Sequence, residues 1–500
     1  MTMFDEEERY RINAFDWDAE FPAIMKSGGF DVVIGNPPYI RSQSLGKPQK
    51  DYYARKYSSA TRTYDIYVLF VEKAMSLLRR KGRTGFILPN KFFTTDYGEG
   101  LRALLAKRQL LDRLVDFEDA QVFAKGGTYT TLMFLCAGGS LDVSYAKLGD
   151  VFREKGAVGL SSALRLGDIH FDSLSVPGDG SRWTLAVGTT GELLSRLEGV
   201  HPPLTALEPH IFQGLKTSAD KVYMLQIIRT KASRSLVRNK SGEESWVETA
   251  ILKPFVKGEH VRRYRTDTSG RLCILYPYTV GADGRAHVLD EDQIADCYPS
   301  AYEYLLRNRA VLGSRDRGKW SKRKDWYAYA RSQNLTAFFG SKYLVPYMTT
   351  RLRADYDTDK DLFFVNITTG GYGLTCETDT HPYYLLGLLN SKLLDLCVRQ
   401  LTNRFRGGYF AVNKQALSRL PIRLIDPAIA DDSARHDKLV ELVERMLSLH
   451  KQLAAAKTAH DKTVLQRQID ATDRQIDQLV YELYGLTDDE IKIVEEAAAR

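Results

Sequence analysis

The run Gly29-Phe-Asp-Val-Val-Ile-Gly-Asn-Pro-Pro-Tyr39 decides the fold class of this chain. Residues 31–35 form a short apolar run, which is typical of a strand buried on both faces of a parallel sheet. Asn36 then opens a turn in which two prolines hold the φ angle. In open α/β sheets, ligands bind just beyond the carboxyl ends of the strands. The run therefore predicts an α/β fold with a ligand site directly after this strand.

The residues that follow alternate between helical and strand patterns up to about residue 140. Apolar residues recur at helical spacing within 65–81, and a second apolar strand ends at Pro89. We expect the parallel βαβ arrangement to apply to this region. The predicted elements are a helix within 65–81, a strand at 84–88, a helix at 101–110, and strands at 111–117 and 129–136.

Four segments are predicted along the chain. Residues 1–150 form the α/β part, and residues 151–199, with their Gly and Ser clusters, form a linker. Residues 200–428 are rich in Tyr, Arg and Gly and predict a mixed α+β domain. Residues 429–500 carry two apolar stripes, and the second follows heptad spacing, so an antiparallel helical hairpin is expected.

Composition excludes several classes of protein. The 500 residues are 44% hydrophobic and 27% charged, as in soluble globular proteins with two or three domains. No apolar run reaches the ~20 residues of a membrane helix, and the acidic residues 5–8 are unlike a signal peptide, so a cytoplasmic protein is expected. The five cysteines are scattered and form no CxxC pair, which indicates neither a disulfide framework nor a zinc site; no metal site is expected.

The turn at Asn36 suits chemistry on the exocyclic amino group of a nucleobase. The side-chain oxygen of Asn36 and the carbonyl of Pro37 can accept the two N–H bonds of such a group, while Pro38 stiffens the turn. These contacts point the nitrogen lone pair at an electrophilic methyl group, with no need for a general base. Tyr39 offers an aromatic face to a base flipped from the duplex. By itself, however, Asn-Pro-Pro is also an ordinary turn.

The sequence around this turn resembles the gamma-class adenine-N6 DNA methyltransferases, and within them the methylase part of type IIG restriction–modification enzymes. The resemblance includes residues 15–22, 29–39, 65–70, 85–92, 122–123 and 127–130. It implies a Rossmann-like methyltransferase sheet and S-adenosylmethionine as the cofactor. It also implies that Tyr129 stacks on the flipped base and that Asp65 contacts the cofactor.

Residues 212–217, 252–258, 386–392 and 405–410 resemble a target-recognition domain of the Taq type. Independently, two basic clusters with interleaved aromatic residues predict contact with the phosphates of double-stranded DNA. A basic cluster seen alone is also typical of an ordinary solvated surface. The residues predicted to bind DNA are Arg315, Arg317, Lys319, Lys322, Arg323 and Lys324 in the first cluster, and Arg404 and Arg406 in the second.

The resemblance also implies a glycine-rich strand and loop that cradle the cofactor ahead of the Asp31 strand. Only thirty residues precede that strand, and they contain no GxG. We therefore expect the Asp31 strand to lie at an edge of the sheet, where its unpaired backbone groups would favour aggregation unless another strand covers them. Four hypotheses remain open: a truncated methyltransferase, half of a split enzyme whose cofactor strands lie on a second polypeptide, a DNA-recognition subunit without catalysis, and a protein-glutamine methyltransferase.

Overall fold

A computed structural model describes residues 15–123, 127–136, 141–358, 360–377, 380–402 and 404–499. The chain divides into two compact units. Unit 1 comprises residues 1–192 together with 403–407, and unit 2 comprises residues 193–402 together with 408–500. The acidic residues 5–8 lie outside the described residues.

Unit 1 is built on a six-stranded sheet with the strand order β1-β2-β4-β3-β5-β6. The sheet packs its apolar face against helices around buried residues such as Tyr67, Leu88 and Leu101. The strands are β1 (Phe30–Gly35), β2 (Leu78–Pro89), β3 (Leu111–Asp116), β4 (Thr130–Cys136), β5 (Asp142–Lys147) and β6 (Asp172–Ser175). The predicted α/β fold of this part of the chain is confirmed.

The expectation of parallel strands is correct only in part. β1 and β2 are parallel, and so are β3 and β5. β4 lies between β2 and β3 and is antiparallel to both. A strand reached through a long loop can enter a sheet in either direction, and the βαβ rule does not constrain it. The sheet is therefore mixed.

β1 lies at the edge of this sheet and is not buried on both faces, contrary to the interpretation of its apolar run. Within the described residues it pairs only with β2. Val32 is 55% exposed and Ile34 is 81% exposed. An apolar sequence is compatible with burial on both faces, but burial also requires neighbouring strands or helices, which the sequence of one strand does not specify.

The helices of unit 1 are α1 (Trp17–Glu20), α2 (Pro22–Lys26), α3 (Lys47–Lys56), α4 (Tyr67–Leu77), α5 (Glu99–Arg108), α6 (Gly149–Leu166) and α7 (Gly188–Val200), the last of which continues into unit 2. The basic residues 79–81, at the end of the segment 65–81 in which a helix was predicted, instead belong to β2. α6, β6 and most of α7 occupy residues 151–199, and β6 pairs with β5. The prediction of a linker there is wrong, because Gly156, Gly159, Ser161 and Ser162 lie inside α6, which departs from helical φ and ψ at Gly156. The second cluster, Gly178 to Ser181, does lie in a loop between β6 and α7.

Unit 2 contains several sheets, in agreement with the predicted mixed α+β domain. One sheet has the order β10-β9-β8-β14-β11-β20, and another has the order β19-β17-β21-β7. These strands are β7 (His210–Gln213), β8 (Met224–Lys231), β9 (Arg234–Asn239), β10 (Glu244–Glu248), β11 (Leu252–Val256), β14 (Leu272–Leu275), β17 (Lys342–Pro346), β19 (Asp355–Asp357), β20 (Phe363–Phe364) and β21 (Gly371–Thr375). The shorter strands are β12 (Val261–Arg262), β13 (Arg265–Thr266), β15 (Tyr278–Val280), β16 (Ala286–Val288), β18 (Met348–Thr349), β22 (Arg404–Phe405, within unit 1) and β23 (Tyr409–Ala411).

The remaining helices belong to unit 2, and the two longest form the expected hairpin. They are α8 (Asp220–Tyr223), α9 (Glu291–Cys297), α10 (Pro299–Arg307), α11 (Arg309–Gly313), α12 (Pro382–Asn390), α13 (Lys392–Gln400), α14 (Lys414–Ser418), α15 (Ala430–Ala455), α16 (Ala459–Leu483) and α17 (Asp488–Ala499). A further four-residue helical segment, Arg315–Gly318, is interrupted by left-handed backbone at Asp316 and Arg317. The turn between α15 and α16 is capped by Thr458, whose side chain accepts a hydrogen bond from the Asp461 N–H. Leu442 and Met446 on α15, and Ile469 and Ile476 on α16, are buried as the apolar stripes predict.

Candidate active site

The topology of the first sheet brings several polar and aromatic side chains to one edge. β1 and β2 are parallel, so Asn36 and Asn90 both follow carboxyl ends of strands. Thr130 at the start of the antiparallel strand β4 pairs with Pro89, and Thr131 pairs with Asp116 at the end of β3. The Asn36 turn, Asn90, Asp116 and Tyr129 therefore share the edge at which a ligand site was predicted.

The Asn36 turn presents its side chains unequally. Asn36 and Pro38 are exposed, Pro37 is buried, and Tyr39 is half-buried. The Tyr39 hydroxyl donates a hydrogen bond of 3.2 Å to the Ile87 carbonyl on β2. Its ring lies 6.3 Å from that of Tyr67, nearly perpendicular to it. Burial raises the pKa of Tyr39, and the hydroxyl bond to Ile87 holds its ring beside the exposed Asn36.

Asp65 is held against the chain that follows this turn. The Ile66 N–H donates to the Ile40 carbonyl at 2.8 Å, and Arg41 and Asp65 form an antiparallel bridge. Burial raises the pKa of Asp65, while the positive charges of Arg41 and Lys91 lower it. A half-buried carboxylate next to the Asn36 turn could accept hydrogen bonds from a polar ligand.

A buried polar network lies beneath the same edge and was not identified from the sequence. The Asn90 amide donates to Asp116 Oδ1 at 3.0 Å and to the Glu118 carbonyl at 3.1 Å. Tyr145 donates its hydroxyl to Asp116 Oδ2 at 3.1 Å. Burial raises the pKa of Asp116, against the lowering effect of these donors. A charged residue closing an apolar strand, as Asp116 does, was the available sequence signal.

Tyr129 is attached to this network through its main chain. Its carbonyl accepts the Asn90 N–H at 3.0 Å, and the next residue begins β4. Its hydroxyl accepts the Arg406 N–H at 3.0 Å, and its ring lies 6.1 Å from that of Phe405. Arg404 and Arg406 are exposed at this point of unit 1. The second predicted basic cluster thus lies beside a predicted base-stacking residue.

The first basic cluster belongs to unit 2, and one of its members does not fit the predicted role. Arg315 is only 7% exposed, and its guanidinium donates to the carbonyls of Leu312, Thr217, Ala328 and Trp326. It therefore braces the surrounding loops and is inaccessible to a phosphate, which corrects the prediction of a DNA contact. The sequence could not show this, because the burial of an arginine depends on how other segments pack around it.

The other basic residues of this cluster are accessible, namely Arg317, Lys319, Lys322, Arg323 and Lys324. The Arg323 guanidinium pairs with Asp325 and lies 4.3 Å from the centre of the Trp320 ring. The aromatic residues Trp320, Trp326 and Tyr327 are buried. They support the basic surface from below and do not project from it.

Membrane spans and metal clusters are both absent from the described residues. Among them, no helix is long and apolar enough to span a bilayer. Within the same ranges, no three His, Cys, Asp or Glu side chains lie close enough together to hold a metal ion.

Two protein-family models match separate parts of the chain. Residues 2–123 match the model of the Eco57I restriction-modification methylase, and residues 253–422 match that of the TaqI-like C-terminal specificity domain. The chain therefore combines a segment similar to Eco57I-type restriction-modification methylases with a segment similar to TaqI-type specificity domains. The family resemblance inferred from the sequence is confirmed.

Two curated relatives are type II enzymes. The chain is 26% identical over 512 residues to the restriction enzyme and methyltransferase RM.Eco57I of Escherichia coli, covering 98% of this chain and 49% of that protein. It is 29% identical over 273 residues to the methyltransferase M.PaeR7I of Pseudomonas aeruginosa, covering 49% of this chain and 47% of that protein. The chain thus spans about half the length of these two curated relatives.

A solved structure shares the fold. The type IIL restriction-modification enzyme MmeI, determined in complex with DNA, aligns with a TM-score of 0.59 at 12% identity. The alignment covers 97% of this chain and 59% of that one. The predicted mixed α/β architecture with a helical C-terminal region is thereby confirmed.

Proposed function

We propose that this chain is part of a site-specific DNA methyltransferase of a restriction–modification system, which methylates adenine N6 in duplex DNA after flipping the base. The observation that carries the proposal is the exposed Asn36 amide at the carboxyl end of β1, with Tyr39 oriented beside it. Tyr129 at the same edge of the sheet provides a second aromatic surface. A cytoplasmic location belongs to the same proposal.

In this mechanism the chain binds and orients the target amino group. The Asn36 side-chain oxygen and the Pro37 carbonyl accept its two N–H bonds, which directs the nitrogen lone pair away from the ring system. The buried Pro37 and the Tyr39 hydroxyl bond to Ile87 hold the turn in place. Tyr39 and Tyr129 stack on the base and replace the neighbours that it loses in the duplex. Hydrogen-bond acceptors placed in advance lower the barrier because they need not reorganise during the reaction.

The proposed cofactor is S-adenosylmethionine, which supplies an electrophilic methyl group when bound. Asp65 fits one polar contact of such a molecule, because its carboxylate is half-buried close to the Asn36 turn. Val32 and Ile34 on the adjacent edge strand β1 are exposed. We therefore propose that further strands, on a second polypeptide or elsewhere in a longer protein, pair with β1 and complete the cofactor site.

DNA recognition is assigned to unit 2 and to residues 404–407. The exposed residues Arg317, Lys319, Lys322, Arg323 and Lys324 suit phosphate contacts, as do Arg404 and Arg406. We propose the domain organisation that the sequence suggests, with recognition in residues 200–428 and a structural helical hairpin in residues 429–500. Residues 151–199 belong instead to the ordered elements around the sheet.

The proposal is tested by methyl transfer from labelled S-adenosylmethionine. The full chain, with and without a candidate polypeptide carrying the cofactor strands, is incubated with plasmid DNA and with a glutamine-containing protein substrate. Label at adenine N6 in DNA is the expected result. Label on glutamine would show that the chain belongs to a protein methyltransferase and would contradict the proposal. DNA binding without any methyl transfer would indicate a DNA-recognition subunit without catalysis.

A further inference from the structure

Residues 404–407 occupy an unusual place in the chain. They belong to unit 1, although the residues before and after them belong to unit 2. Two of them, Phe405 and Arg406, contact Tyr129. A short segment bordered by the recognition part of the chain thus reaches a residue of the candidate base pocket.

Tyr129 is held at two separate points. Its main chain is fixed by the Asn90 N–H at 3.0 Å, and Asn90 is itself held by the buried Asp116. Its hydroxyl accepts the Arg406 N–H at 3.0 Å. Since the first contact fixes the backbone and the second the far end of the ring, rotation about the side-chain bonds is restricted.

Phe405 adds a third restriction. Its ring centre lies 6.1 Å from that of Tyr129, with an angle of 71° between the planes. This is the edge-to-face arrangement that aromatic pairs favour. Phe405 is half-buried, so it is anchored while its neighbours Arg404 and Arg406 remain exposed.

The charges of the neighbouring residues connect this contact to DNA. Burial raises the pKa of the Glu118 carboxyl, and the positive charges of Lys147 and Arg404 oppose this rise. Glu118 also accepts the Asn90 amide through its carbonyl, and its backbone φ of 51° lies in the left-handed region. Strained backbone of this kind tends to occur at functional sites. A phosphate bound by Arg404 or Arg406 would therefore act on the segment that restrains Tyr129.

We propose that residues 404–407 orient the ring of Tyr129 for stacking on the target base, with Phe405 as a positioning residue, and so couple phosphate contact to base flipping. This inference rests on the proposed function. It assigns a positioning role to a segment that the sequence identified only as part of a target-recognition domain and as a phosphate contact.

The test uses the full chain and DNA alone, because base flipping can be observed without the cofactor. Selection from a random duplex pool identifies the sequence that the chain binds, and 2-aminopurine then replaces each adenine of that sequence in turn. Fluorescence at saturating protein reports the flipped base, and anisotropy reports affinity separately. The variants are Phe405→Leu and Tyr129→Phe, with Phe152→Leu as the matched control, since Phe152 is a half-buried ring in edge contact with Phe117.

We expect Phe405→Leu and Tyr129→Phe each to lower the flipped-to-stacked ratio about five-fold, the effect of removing one ordinary interaction, at unchanged DNA affinity. The double variant should lose less than the product of the two effects, because both act on one ring. Tyr129→Phe removes only a hydroxyl and keeps the test valid if Phe405→Leu unfolds. Wild-type fluorescence in both variants, or fully independent effects, would overturn the inference. Absence of DNA binding or of any fluorescence increase in the wild type would instead reject the proposed function, and the inference with it.

Discussion

Asn36 is the residue on which the proposed chemistry depends most directly. Because the Asn36 side chain is exposed and not part of the core, its replacement should leave the fold intact. We expect Asn36→Ala to reduce methyl transfer by ~10²–10³, the usual loss for one transition-state interaction. Transfer is measured with the cofactor-binding strands present, and DNA affinity, which should stay unchanged, serves as the control. Near-normal turnover would show that Asn36 is not the acceptor.

Asp355 carries a prediction about pH. Burial raises the pKa of this carboxyl on β19 to about 6, although Thr266 donates a hydrogen bond of 2.7 Å to it. A raised pKa in the folded state means that its contribution to stability is present below about pH 4 and is lost as the pH rises through 6. Asp355→Asn removes this loss because asparagine does not ionise. Its effect on the free energy of unfolding should therefore be more favourable at pH 7.5 than at pH 4 by about 2–3 kcal/mol.

The measurement is the difference in free energy of unfolding by urea between Asp355→Asn and the wild type at the two pH values. Other titrating groups cancel in this difference because both proteins contain them. An equal effect of the substitution at both pH values would contradict the raised pKa.

At the scale of elements, the two basic clusters predict a change in salt dependence. The exposed pairs are Arg323 with Lys324 and Arg404 with Arg406. Reversing both charges of a pair should weaken DNA binding and reduce the slope of log affinity against log salt by about 0.9 for each phosphate that the variant no longer neutralises. Anisotropy titrations at several salt concentrations measure the slope. Lys457→Glu with Lys462→Glu, at the turn of the helical hairpin, is the control; slopes unchanged in both cluster variants would exclude these residues from the interface.

The hairpin itself is attached to the rest of unit 2 by a charged contact. Arg263 donates to Asp473 Oδ2 on α16 at 2.6 Å and to the Asn390 carbonyl at 2.6 Å. Both partners are largely buried, with 18% and 21% of their side chains exposed. Asp473→Leu should cost about 2–4 kcal/mol because it leaves a desolvated guanidinium unpaired, whereas adding Arg263→Met should recover part of this loss.

The control for this ion pair is an exposed pair of the same type. Arg238 and Glu244 form a cross-strand pair with 46% and 40% of their side chains exposed. Glu244→Leu should change the free energy of unfolding by no more than about 1 kcal/mol. Similar destabilisation at the two sites would contradict the expectation that burial makes loss of Asp473 the more costly of the two substitutions.

At the scale of the whole molecule, the position of β1 as an edge strand predicts whether the isolated chain binds the cofactor. Exposed Val32 and Ile34 and the single carboxylate of Asp65 provide few contacts for S-adenosylmethionine. We expect no measurable binding by the isolated chain, because so few contacts do not offset the unfavourable entropy of association. A polypeptide that pairs with β1 should restore both cofactor binding and methylation.

Calorimetry with S-adenosylmethionine, on the chain alone and then with its candidate partner, makes this test. The partner should also protect the amides of β1 from hydrogen exchange, as a newly paired strand would. Tight binding by the chain alone would show that the cofactor site is built from other residues.

Patterns of short range were predictable from the sequence. The apolar run of β1, the helical spacing around Val68 and the stripes of α15 and α16 all specify elements, because periodicity acts over a few neighbouring residues. The position of the Asn36 turn followed from the same local pattern, since prolines end a strand wherever that strand lies.

What only the tertiary structure decided is which residues meet. The antiparallel insertion of β4 brings Tyr129 to the edge that carries Asn36 and Asn90, and Arg406 joins it from 277 positions further along the chain. Burial of Arg315 and exposure of Val32 are likewise set by neighbours remote in sequence. The physical reason is that local periodicity encodes the faces of helices and strands, whereas pairing, burial and charge environment depend on packing between distant segments.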